Sequence, residues 1–141
     1  MHAVSQRAWG PPGSRWVSEG VANWADSRCQ STTVLAVARD LLRAEPRLTA
    51  AGLPAHFDSI GAGPFLGPRL SAYALAASMV GFVYDRGGAA ALHALWHSGM
   101  LPPTPPLSVD SITPAWRAYV ERAAAGTRGL APAAIEARGC D

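Results

Sequence analysis

Apolar residues recur three and four positions apart along most of the chain, and strict alternation is almost absent. That period predicts an all-α fold. A first segment begun at His2 is broken by Pro11, Pro12 and Gly13. Ser14 caps a second that runs to about residue 27, with Trp16, Gly20, Asn23 and Trp24 on one face and Val17 and Val21 beside it. "STTVLAVARDLLRAE" carries a stripe of Val34, Val37, Ala38, Leu41 and Leu42, with Arg39, Asp40 and Arg43 opposite, and Pro46 ends it. Residues 52–68 are rich in Gly and Pro, which predicts an irregular, partly exposed loop with a short turn near Phe57. A core helix follows from Leu70 to Asp85, closed by Gly87 and Gly88. "AAALHALWHSG" predicts a second helix packed back on it, ending at Gly99. "PPTPP" is a stiff connector, and "TPAWRAYVERAAAG" a final helix with Pro114 near its first turn and Trp116, Tyr119, Val120 and Ala123 on one face.

With 141 residues, 49% of them hydrophobic and 16% charged, the chain suits one packed domain. Residues 1–126 are expected to form it, and 127–141 to be a flexible tail. The net charge of +2 comes from scattered arginines with no lysine and no basic run, which argues against a nucleic-acid partner. The longest apolar stretch, residues 70–84, falls short of the roughly twenty residues that span a bilayer, so no membrane span is expected. The N-terminus lacks the charged stub and apolar run of a secretory signal, and the compartment stays open. Cys29 and Cys140 either pair or remain free, for their spacing selects neither.

Candidate chemistry lies at the start of the chain. A catalytic zinc takes three protein ligands and leaves a corner for water. A common solution is H-E-x-x-H on one helix with a carboxylate from a later one, the inner glutamate serving as general base. Met1-His2 reads as the end of such a motif, and Glu19 as the third ligand. The intervening residues 3–18 suffice for one helix to end, turn at "GPPG" and send a second back alongside.

"RWVSEGVANWAD" resembles the "W-x-x-E-G-x-A-x-y" segment of gluzincin zinc metallopeptidases, in particular the bacterial peptidase-MA-like group. "LSAYALAASMVGFVYDRGGAAALHALWHSG" is similar to a later segment of that family, and together they span about residues 1–99. The resemblance implies the C-terminal helical half of such an enzyme, with zinc as cofactor and a peptide or protein substrate. It implies His2 and Glu19 as metal ligands, and Gly20 and Ala22 as small positions that let helices approach. It makes Tyr73 a donor to the oxyanion of the tetrahedral intermediate. Asn23 stands where some gluzincins keep an acidic residue bonded to a zinc histidine. The family's first histidine and its catalytic glutamate are not among these residues, so the chain alone is expected to bind zinc weakly or not at all and to lack peptidase activity.

Plainer readings stand beside these. A glutamate early in a helix favours the dipole, His2 can be a simple terminal residue, and Tyr73 can be a core aromatic. His93 and His97, one turn apart, could hold a metal but read as a solvated helix edge. The alternative function is a non-catalytic helical interaction module on the same scaffold, self-associating or binding a partner through apolar surface around Trp9, Trp16 and Trp24. A start codon lying upstream of Met1 is a third possibility.

Overall fold

The structure is a computed structural model that describes residues 2–25, 31–61, 68–101 and 109–128, with the backbone alone at 2–4, 31–33, 61, 68–70 and 109. It is all-helical: α1 (His2–Trp9), α2 (Arg15–Ala25), α3 (Ser31–Ala44), α4 (Leu53–Gly61), α5 (Pro68–Ser98) and α6 (Val109–Ala123), with no strand among the described residues. No helix there is long and apolar enough to cross a membrane.

The first limb of α5 is the axis of the molecule. Every side chain from Ala74 to Val83 is buried, as a helix apolar on all sides requires when others surround it. Helices α2, α3, α4 and α6 all pack on α5. Gly88, at φ 62°, breaks the helix as expected from Gly87-Gly88. Beyond it the second limb folds back. Tyr84, near the end of the first limb, meets Trp24 at the C-terminal end of α2 with ring centroids 4.8 Å apart. Gly99, just past the second limb, reaches the N-terminal end of α2 instead, where the Trp16 indole donates to its carbonyl at 3.0 Å.

Helix α6 lies along α3 in the opposite direction. Ile112, Trp116, Val120 and Ala124 recur every fourth residue and are all buried. The Trp116 indole donates to the Ser78 hydroxyl at 3.1 Å, and Ser78 donates to the Leu75 carbonyl at 2.7 Å, which satisfies the polar atoms at this depth. Tyr119 lies over Gly81, and burial together with the Asp85 carboxylate pushes its hydroxyl above the usual tyrosine range.

Two elements differ from the expectation. The Gly- and Pro-rich stretch holds a nine-residue helix, α4, where a loop with a short turn was expected. Leu53 and Phe57 are fully buried with Ile60 packed beside them, a helical spacing that anchors the segment to the core. Pro54 falls in the first turn, where a missing N–H costs nothing. Helix α6 starts at Val109, leaving Pro114 inside it at an exposed position open to water. The Thr127 carbonyl accepts from Arg39 at 2.9 Å. Cys29, Cys140 and residues 129–141 lie outside the described residues.

Candidate functional site

Helix α2 is positioned by the chain before it. Gly13 donates its amide to the Trp96 carbonyl at 2.7 Å, and the Trp96 indole donates to the Gly10 carbonyl at 3.0 Å. A Cβ on Gly13 would lie 2.4 Å from the His97 carbonyl oxygen, so only glycine lets this turn sit against the end of α5. Ser14 occupies the cap position, its carbonyl accepting the Ser18 amide at 3.3 Å, while its hydroxyl turns to the Gly99 carbonyl at 3.4 Å.

From there α2 lies against the first limb of α5. A Cβ on Gly20 would come within 2.9 Å of the Ala76 carbonyl oxygen and 3.0 Å of Val80 Cγ2. The two backbones therefore nearly touch, and the small residue next to Glu19 is what permits it. Tyr73 is one turn before Ala76, so the chain segments bearing Glu19 and Tyr73 come side by side. Glu19 and Tyr73 are each half-buried. The Tyr73 ring packs on Phe57, centroids 5.7 Å apart and 31° between planes, which gives it a place at the edge of the core. Asn23 donates its amide to the Glu19 backbone carbonyl at 2.8 Å, one helical turn back.

The remaining ligand candidate, His2, is the first residue of α1, and its side chain lies outside those described, as does its facing toward Glu19. Helix α1 does pack on α2. An imidazole and a carboxylate are donors of the kind zinc takes, but among the described residues no three His, Cys, Asp or Glu side chains gather as a metal site.

The expectation of apolar surface around three tryptophans is corrected at Trp16, which is only 2% exposed and donates its N–H to the Gly99 carbonyl just past α5. Trp9 and Trp24 are half-buried against the core, and the large apolar side chains most exposed among the described residues are Tyr84 and Met100. His93 and His97 are exposed, with their Nε2 atoms 3.1 Å apart. No family model, no curated protein and no solved structure matches the chain.

Proposed function

We propose that this domain is the C-terminal helical part of a gluzincin-type zinc peptidase, supplying Glu19 and His2 as two of three metal ligands and Tyr73 as the oxyanion donor. The observation that carries this reading is the α2–α5 interface. The two sequence segments that resemble the family are those that form the most extensive helix pair among the described residues, and they meet at the glycine beside Glu19. On this reading the 141 residues hold part of a centre. Hydrolysis then waits on a histidine and a glutamate that lie outside them, and the chain alone does not cleave peptides.

The test restores the missing donors. Placing His-Glu-Ala ahead of Met1 rebuilds H-E-x-x-H, in a background of His93→Ala and His97→Ala that removes the other imidazole pair. The expected result is one tightly bound zinc per chain that Glu19→Ala abolishes, with chelator-sensitive cleavage of a peptide library. Zinc content unchanged by the insertion, or unaffected by Glu19→Ala, overturns the reading.

A further inference from the structure

We propose that His93 and His97 form a chelating site for a divalent transition-metal ion on the second limb of α5, separate from the Glu19 region. The two rings stand one helical turn apart on an exposed face, Nε2 to Nε2 3.1 Å, with centroids 4.4 Å apart and planes at 81°. That separation is a metal's bite. With metal–nitrogen bonds of about 2.0–2.1 Å, two imidazole nitrogens stand about 2.9 Å apart at a right angle and about 3.4 Å apart at the tetrahedral angle. The observed distance falls between, so the donors already stand at chelating range.

The surroundings hold that arrangement. Trp9 meets His93 edge-on at 5.9 Å and Trp96 at 5.6 Å, and Trp96 is itself fixed through its bond to the Gly10 carbonyl. His93 therefore has a packed aromatic behind it and His97 beside it. In the metal-free pair, one Nε2 carries the hydrogen and the other accepts it. When an ion enters, that hydrogen moves through solvent to Nδ1 of the same ring, both Nε2 lone pairs turn to the metal, and both rings stay neutral.

Imidazole donors select the ion class. Mg²⁺ and Ca²⁺ take oxygen ligands, whereas Cu²⁺, Ni²⁺ and Zn²⁺ take imidazole nitrogen. Among the described residues no third protein ligand joins the pair, so water completes the coordination. Such an open site follows the general affinity order, with Cu²⁺ bound tightest.

Titrating the full chain with Cu²⁺ at neutral pH tests this. The expected result is one ion per chain, partial quenching of tryptophan emission through Trp9, and an electron paramagnetic resonance spectrum with two coupled nitrogens. His93→Ala and His97→Ala should each weaken binding by about 100-fold, the advantage of holding a second donor on the same frame. His2→Ala, His56→Ala and Glu19→Ala should leave it unchanged, which separates this site from the proposed zinc ligands. Both histidines are exposed, so the variants keep the fold, and circular dichroism confirms it. Unchanged Cu²⁺ affinity in the double variant, or loss of binding in His2→Ala instead, overturns the proposal.

Discussion

Helix α2 meets α5 through small residues, whereas α3 meets α6 through arginines. At the first interface the backbones approach until a Cβ at Gly20 has no room. Across the second, two guanidinium groups reach backbone carbonyls in opposite senses. Arg39 of α3 donates to the Ala124 and Thr127 carbonyls at the end of α6, each at 2.9 Å. Arg117 of α6 donates to Leu42 at 2.6 Å and to Glu45 and Leu48 at 2.8 Å, the carbonyls at and beyond the end of α3. Each helix thus supplies the cap of its antiparallel partner, where cations favour the C-terminal dipole and the last carbonyls lack intrahelical donors. One interface is governed by space and the other by direction. The first leaves no room for a Cβ at Gly20, and the second depends on donors that reach remote carbonyls.

The largest effect is therefore expected from Gly20→Leu. Its Cβ meets backbone, not a flexible side-chain end, so α2 must move off α5. Overpacking of this kind costs about 3 kcal/mol or more, beyond what a better helix former returns. The urea midpoint should fall accordingly. A midpoint within error of the parent would show that α2 is held from its ends and not along its face.

Arg117→Ala should come next, at about 2 kcal/mol, because it strips three carbonyls of a charged donor in a half-buried place. Arg117→Lys should recover only a fraction, since an ammonium lacks the planar fork that spans several acceptors. Full recovery by lysine would mean that charge alone, not the crossing geometry, joins α3 to α6.

The same contrast explains how far the sequence could be read. Stripes such as Val37, Ala38 and Leu42 on α3, or Trp116 and Val120 on α6, follow from helical period, and the break at Gly88 follows from the paired glycines. The pattern sets Arg39 and Arg43 opposite the stripe, a side that normally faces water. Arg39 instead bends its apolar stem along α6 to reach carbonyls, and its side chain is only 12% exposed. Nothing local in the sequence says which remote helix end an arginine will cap. Helix α4 was hidden for another reason: the Gly and Pro around it argue for a loop, while its anchors Leu53 and Phe57 matter only once α5 is in place. Around the candidate site, the resemblance implies Gly20 and Ala22 as small positions where helices approach, and Gly20 does lie against the Ala76 backbone. The bond from Asn23 to the Glu19 carbonyl is a local, one-turn contact, whereas a role toward a zinc histidine would need a partner from α1.

The smallest effect belongs to the ion pair that closes the α3–α6 seam. Arg43 donates to both carboxylate oxygens of Glu121, at 2.7 and 2.6 Å, yet both side chains are largely in water. Exposed pairs of this kind are screened by solvent and salt and add little. The hydrogen bonds from Arg43 nonetheless hold the Glu121 carboxyl below its usual range. A carboxyl depressed in the folded state contributes stability above its unfolded value, and that contribution is lost as pH falls through the folded one. Glu121→Gln should therefore barely shift the urea midpoint in 1 M salt, and in low salt should show a small deficit at neutral pH that shrinks below about pH 4.5. A deficit as large as that of Arg117→Ala, or one that persists at pH 3 and in high salt, would move the weight of the seam from the capping arginines to the surface pair and remove the distinction between the two interfaces.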